Sequence, residues 1–396
     1  MSDSTVILNA RLPQRRGLYQ ISIQQGVVTE IGTTNQPDID VVESGATALD
    51  VAGDWVTLGA IDLQINGALG LAFPDLRADD FDQLVTICEL LWRQGVDGFC
   101  PTLVTTTLEN FRGSLAAIQA YQHSAENKQG GRSQVLGAHL EGPFLNAAKR
   151  GAHPAEYLQP LTLERVKTVA GEFTNAVSIL TLAPELVEAE ALNEVMGWLR
   201  SHNITISLGH SLATAQQATY AFDLGATMVT HTFNAMPGLH HRKPGLLGSA
   251  LTDSRAFCGF IADGQHICPA MLDLLLRVGR GSTDTRMGGL FLVSDALSPL
   301  GLPDGKYPWD SREIEVVDGT ARLADGTLSG TTLPLIEGAV NLVKWGICDA
   351  EDAIALVTLA PRKALGLPVL SVGASASLIR WSQDDDSQLI WQRLSA

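Results

Sequence analysis

A chain of 396 residues, 45% hydrophobic and 18% charged, carries enough apolar material for a large core and excludes a predominantly disordered protein. Its formal net charge of −16 repels phosphate backbones and anionic lipid, which excludes nucleic acid and membrane surfaces as partners held by non-specific charge. No apolar run is long enough to span a bilayer, and the opening stretch, Met1 to Asn9, lacks the basic and apolar segments of a secretory signal.

In chain order, Val6 to about Val56 reads as short strands, with Leu-Tyr-Gln-Ile-Ser-Ile at 18–23, Val27-Val28 and Ile31 punctuated by Gly26 and Gly32. From about Thr57 apolar runs alternate with helical segments. Residues 79–93, for example, put Phe81, Leu84, Val85, Cys88 and Leu91 on one helical face. Strand-like runs at 98–104, 135–140, 178–182, 205–208, 228–230, 257–261 and 290–294 complete a series of βα units. Their number and spacing fit an eight-stranded barrel better than a doubly wound sheet, and no Gly-x-Gly-x-x-Gly follows the first strand. A β-rich texture returns after Pro368, at 377–381 and 388–391, where both termini are expected to build one small sheet. The expected fold is thus α/β, a (β/α)8 TIM-type barrel over residues 57–360 with a small β-rich domain formed from both termini, 1–56 and 361–396. Five cysteines, Cys88, Cys100, Cys258, Cys268 and Cys348, are odd in number and never in a C-x-x-C pair. They are expected to be reduced and mostly buried, in a cytoplasmic protein without a disulfide framework.

Ionisable and amide residues fall where the apolar strands stop: Asp62 and Gln64, His139 and Glu141, His210, His231, and Asp295. In a β/α barrel those strand ends converge on one mouth, where catalytic groups sit. Glu141, His210 and His231 make a ligand set suited to one divalent ion of the Zn²⁺ kind with a position left open for water. Fe²⁺, Co²⁺ and Mn²⁺ suit the same ligands. Asp295 is expected to take the water proton and pass it to a leaving nitrogen. Taken singly, each residue has a plainer reading. A strand-end histidine is more often a hydrogen-bonded structural residue, Glu141 before Gly142-Pro143 could cap a turn, and Asp295 could cap the segment after it. Their common placement at strand ends favours the metal site.

Nine stretches carry a further signal: Gly59-Ala-Ile-Asp-Leu-Gln-Ile-Asn-Gly67, His139-Leu-Glu-Gly-Pro-Phe144, Lys149-Arg-Gly-Ala-His153, Gly209-His-Ser-Leu-Ala-Thr214, His231-Thr-Phe-Asn-Ala-Met-Pro237, Arg242-Lys-Pro-Gly245, Ala262-Asp-Gly-Gln-His266, Val293-Ser-Asp-Ala296 and Leu328-Ser-Gly-Thr331. In this order they resemble the amidohydrolase superfamily, and within it the N-acetylglucosamine-6-phosphate deacetylases, over nearly the whole chain. The resemblance implies a metal-dependent amide hydrolase acting on a phosphorylated amino sugar. It implies that His153 bonds the acetyl carbonyl and that the Asn234-Ala235 backbone and Arg242 hold the 6-phosphate, for which an arginine fork is apt. His266 would line the sugar site, and Ala152, Leu328, Ser329 and Gly330 would touch the sugar through backbone or packing. Arg242 would reach in from a neighbouring subunit, hence a homodimer, while His240 and His241 beside it read as solvated loop residues.

The wider superfamily often carries His-x-His after the first barrel strand and binds two metals, whereas Gln64 and Asn66 stand there in this chain. Neutral amides are poor replacements for imidazole, so the resemblance implies a single-metal enzyme with vestigial second-metal positions. Near the C-terminus Ala376-Ser377-Leu378 replaces the family's Ala-Asp-Leu. Two rival readings have sequence marks of their own. A cyclic amidase or deaminase on the same barrel would want the His-x-His pair and have little use for Arg242. A silent scaffold would have lost Asp295 or a ligand, and none is lost.

Overall fold

The computed structural model describes residues 4–34, 46–281 and 289–394. Eight strands run parallel in chain order: Ala60–Ile65, Val96–Val104, Ala138–Glu141, Val177–Leu182, Thr205–Leu208, Met228–Val229, Phe257–Phe260 and Leu290–Leu292. Just past the last strand the chain returns to the first. Asp295 N donates to Gln64 O at 2.9 Å and Asn66 N donates to Ala296 O at 2.7 Å, so the barrel closes through the very residues that end its strands. The expected barrel is therefore the one the chain builds.

The helices cover the barrel with apolar faces of the expected period. Phe81–Arg93 buries Leu84, Ile87, Cys88 and Leu91, and begins after a short 3-10 turn, Ala78–Asp80, two residues later than the apolar pattern alone suggests. Side-chain caps fix where helices start: the Thr107 hydroxyl accepts from Asn110 N, and Thr214 and Gln217 form a reciprocal capping box. Strand residues such as Leu103, Leu140, Leu180 and Leu208 share one apolar cluster with helix residues such as Leu115, Val195 and Leu272. Burying each such side chain is worth about 1.5–3 kcal/mol.

Two expectations need correction, and a third feature was not anticipated. The run 135–140 is not one strand. Gln134–Val135 and Ala138–Glu141 both pair with Val96–Val104, but Gly137 between them has φ +126°, and a Cβ there would collide with Ser178 Oγ. Nor do the termini build one sheet. Strand Ser4–Ala10 has both edges taken, by Tyr19–Gln24 and Thr47–Asp50, so the C-terminal strands Leu378–Gln383 and Leu389–Arg393 assemble on Trp55–Leu58 instead. The two sheets share a cluster that includes Ile7, Ile21, Val56 and Leu378. The positions 56/57 and 360/361 accordingly fall inside strand Trp55–Leu58 and helix Leu359–Ala364. Third, residues 305–331 form an antiparallel sheet of four strands, Gly305–Trp309, Arg312–Val317, Thr320–Leu323 and Leu328–Thr331, inside the barrel segment. Its signals were the alternation in Arg-Glu-Ile-Glu-Val-Val and the Asp318-Gly319 turn.

Asp97, at the start of the second barrel strand, joins barrel to small domain. Its carboxylate accepts from Gly59 N (2.7 Å), Ser377 Oγ (3.0 Å), Arg362 (3.2 Å) and Arg393 (2.9 Å). Four cysteines are buried, Cys268 is exposed, and all five are free thiols. No helix among the described residues is long and apolar enough to cross a membrane.

Candidate functional site

Glu141 ends the third barrel strand, and His210, His231 and Asp295 follow the fifth, sixth and eighth strands within a few residues. His210, His231 and Asp295 take left-handed backbone conformations, with φ of +48°, +28° and +49°. For an L-residue this costs roughly 1–2 kcal/mol. It turns the chain sharply as it leaves the sheet, and these side chains meet those of neighbouring strands. Glu141 Oε1 lies 3.0 Å from His210 Nε2 and 2.9 Å from His231 Nε2, and the two imidazole nitrogens are 2.9 Å apart. Among the described residues this is the cluster of three ionisable side chains whose ligand atoms are close enough to share an ion, and all three are buried.

The hydrogen bonds around the triangle indicate what belongs in it. His210 Nδ1 lies 2.8 Å from Lys149 O, which can only accept, so Nδ1 carries a hydrogen and Nε2 is the nitrogen turned to Glu141. Burial works to raise the Glu141 pKa, but the His210 and His231 hydrogen bonds and charges outweigh it and hold the carboxyl well below its usual range. Burial likewise opposes a charged His231, yet the Glu141 contact lifts that imidazole above its usual value. An ionised oxygen packed 2.9–3.0 Å from two imidazole nitrogens needs a positive charge between or beside them. A proton supplies it weakly, and a divalent cation with nitrogen and oxygen ligands supplies it fully. Ligands about 2.0–2.1 Å from one tetrahedral ion stand roughly 3.3 Å apart, close to the separations found here.

Gln64 and Asn66 are engaged in hydrogen bonds to the acidic groups of the site. Gln64 Nε2 donates to Glu141 Oε1 and to Asp295 Oδ1, both at 3.2 Å, and Asn66 Nδ2 donates to Asp295 Oδ1 at 2.8 Å. Burial first, then the Glu141 charge, pushes the Asp295 pKa up to about 6. His139, grouped by sequence with Glu141, stays out of the triangle. Its Nδ1 donates to Leu63 O at 3.0 Å and its Nε2 accepts from the Thr181 hydroxyl at 2.7 Å, within the strand network.

A cavity of about 180 Å³ opens over the triangle, lined by Glu141, His210, His231, Asp295 and Asn66 together with Ala152, His153, Asn234, Ala235, His266, Leu328 and Ser329. Gly330 does not line it. It sits behind the wall, where a Cβ would lie 2.8 Å from Asp295 O. Arg242 is exposed on the loop before helix Gly245–Thr252, with its guanidinium 2.8 Å from His241 Nε2, and takes no part in this chain's own cavity.

His153 has a defined protonation. Its Nδ1 accepts from Thr105 N at 3.2 Å and from the Thr105 hydroxyl at 2.9 Å, so the hydrogen is on Nε2. Burial, then the neighbouring His210, drives its pKa down to about 3, and the ring is neutral. Thr105 can stand this close because Gly142, φ +90°, has no Cβ to strike its hydroxyl. His266 is held by Asp263, which accepts from its backbone N at 2.8 Å and from Nδ1 at 2.7 Å, turning Nε2 to the cavity. Sequence reasoning missed Trp309, Asp310 and Arg312, which the four-stranded insertion brings to the same cavity. The Arg312 guanidinium stacks 4.8 Å from the Trp309 ring centre and donates to Ala152 O at 2.8 Å.

No family model matches the chain. It is 33% identical over 378 residues to an N-acetylgalactosamine-6-phosphate deacetylase of Escherichia coli O157:H7, covering 94% of this chain and 93% of that protein. An N-acetylglucosamine-6-phosphate deacetylase of Bos taurus is 36% identical over 367 residues, covering 87% and 85%. Among solved structures, a mutant N-acetyl-D-glucosamine-6-phosphate deacetylase from Mycobacterium smegmatis, in complex with N-acetyl-D-glucosamine-6-phosphate, superposes with a TM-score of 0.82 at 25% identity, covering 98% of this chain and 97% of that one.

Proposed function

The chain belongs to the N-acetylglucosamine-6-phosphate deacetylase family, and from that premise we propose that it hydrolyses the acetamide of N-acetylglucosamine 6-phosphate to glucosamine 6-phosphate and acetate. The observation that carries the reading is the meeting, in one cavity, of the Glu141, His210 and His231 triangle, the Asp295 carboxylate and a neutral His153 with its hydrogen on Nε2. Glu141, His210 and His231 would hold one divalent ion, Zn²⁺ first, which supplies Lewis acidity toward a water and the acyl oxygen.

The chain's own groups do the rest. Both amide hydrogen bonds of Asp295 go to Oδ1, so Oδ2 is the oxygen that takes the proton from the attacking water and returns it to the departing amine nitrogen. His153 Nε2–H donates to the acyl oxygen as negative charge develops there, and needs no proton transfer to do so. Gln64 and Asn66 hold Asp295 in place, so the site works with one ion. The backbone of Asn234 and Ala235 cradles the phosphate, and Arg242 of a neighbouring copy closes it, which makes the working unit a homodimer. A cytoplasmic setting accords with five free thiols.

The test is acetate release by the purified protein from the gluco and galacto N-acetylhexosamine 6-phosphates, with elemental analysis of bound metal. Turnover of the gluco substrate that is lost on chelation and restored by a divalent ion supports the reading. Ring-opening activity without acetate release would end it.

A further inference from the structure

A second cavity, of about 260 Å³, lies between the small β domain and helix Leu359–Ala364. Leu12, Leu58 and Leu370 give it apolar walls, and three cations line it: Arg15, Arg362 and Lys363. Among the described residues, no carboxylate lines it. In a chain with 43 acidic residues against 27 lysines and arginines, such a cleft departs from its surroundings.

Two of these charges are incompletely answered. Arg362 is buried, with Nη2 2.9 Å from Gly59 O and 3.2 Å from Asp97, yet its Nε has no hydrogen-bond partner. Asp97 is also the counter-ion of Arg393, so one carboxylate serves two guanidinium groups. At the rim, Lys363 Nζ donates to the neutral Gln14 amide oxygen at 3.1 Å, while Gln14 N turns the nearby Glu351 carboxylate to the backbone at 2.9 Å. A buried N–H without a partner is rare in folded proteins and calls for a water or an ion.

We propose that this cleft binds a small organic anion, with a carboxylate or phosphate head at Lys363, Arg15 and Arg362 and a short apolar body against the leucines. A body that size suits the volume, which falls just below the roughly 300–1,000 Å³ of drug-sized sites. The site is separate from the catalytic one. Arg362 bonds the carbonyl of Gly59, at the entry of strand Ala60–Ile65, and Gln64 near that strand's other end touches Glu141. Five residues of strand put roughly 16 Å between them. The inference is independent of the catalytic reading above.

Hexanoate and hexyl phosphate, titrated calorimetrically into the full-length, metal-loaded protein, test it. Acetate is the head without the body, and hexylammonium is the body with the opposite charge. At least one of the two anions is expected to bind at least tenfold more tightly than acetate, with hexylammonium not binding. The variants Lys363→Gln and Arg15→Gln, both at exposed positions, should each weaken that binding at least fivefold and leave acetate release unchanged. Binding undiminished in both variants would place the anion elsewhere and overturn the proposal, as would failure of both anions to bind the wild type. Melting curves identify a variant that has not folded, in which case the other decides.

Discussion

Replacing His153 with phenylalanine keeps a ring of similar shape and deletes one hydrogen-bond donor. Because Thr105 occupies Nδ1 from both its amide and its hydroxyl, the only hydrogen His153 can offer to a substrate is on Nε2. Removing a single donor aimed at a developing oxyanion costs about 2.7–4 kcal/mol, or about 10²–10³ in kcat. The variant also strands the Thr105 amide, a buried donor, which costs about 1–3 kcal/mol of folding stability. His153→Gln restores an N–H on a side chain of similar reach and should recover part of kcat. The assay is acetate release from N-acetylglucosamine 6-phosphate at saturating substrate, followed from pH 5 to pH 9. Since His153 titrates near 3 and is neutral throughout, the loss should be the same at every pH. A kcat within about fivefold of wild type, or the disappearance of an ionisation from the pH profile, would refute a neutral donor at this position.

Asp295→Asn should lower kcat about 10²–10⁴-fold, the usual worth of a general acid–base group, and near-normal turnover would remove it from the proton path. Asp295 must be ionised to accept a proton, and its pKa is raised to about 6 by burial and Glu141. A bound cation pulls it down again, so kcat/KM should fall with falling pH at or below about pH 6, and a fall on the alkaline side alone would contradict the assignment. Arg242→Ala should raise KM for the phosphorylated sugar while changing kcat little, and an unchanged KM would count against phosphate recognition there. Asp97→Asn leaves Arg362 and Arg393, 10% and 16% exposed, without a counter-charge. The cost should be about 3–5 kcal/mol, as for other broken buried pairs, read as a lower urea midpoint. A variant as stable as wild type would mean that this junction carries little of the fold.

The meeting of the candidate site residues was legible because a β/α barrel makes position along a strand equivalent to position in space. Glu141, His210, His231 and Asp295 are scattered over 155 residues, yet each stands where an apolar run stops, and that suffices to bring them to one mouth. His139 obeyed the same pattern and belongs to the strand network instead, since nothing local distinguishes a side chain bound to Thr181 from one facing a ligand. Protonation states were out of reach for a related reason. The hydrogen on His153 is placed by Thr105 and that on His210 by Lys149, partners 48 and 61 residues away. Arg312 escaped notice because it rides on a hairpin whose alternation was present but unread, and whose approach to Ala152 spans 160 residues.

The left-handed turns at His210, His231 and Asp295 set this protein's evolvability. Glycine or asparagine adopts that geometry with less strain, so a laboratory selection that rewards heat tolerance alone has an incentive to discard the imidazoles and the acid first. Such a campaign would harvest sturdier, inert barrels, and any effort to toughen the enzyme has to score turnover alongside melting from its first round.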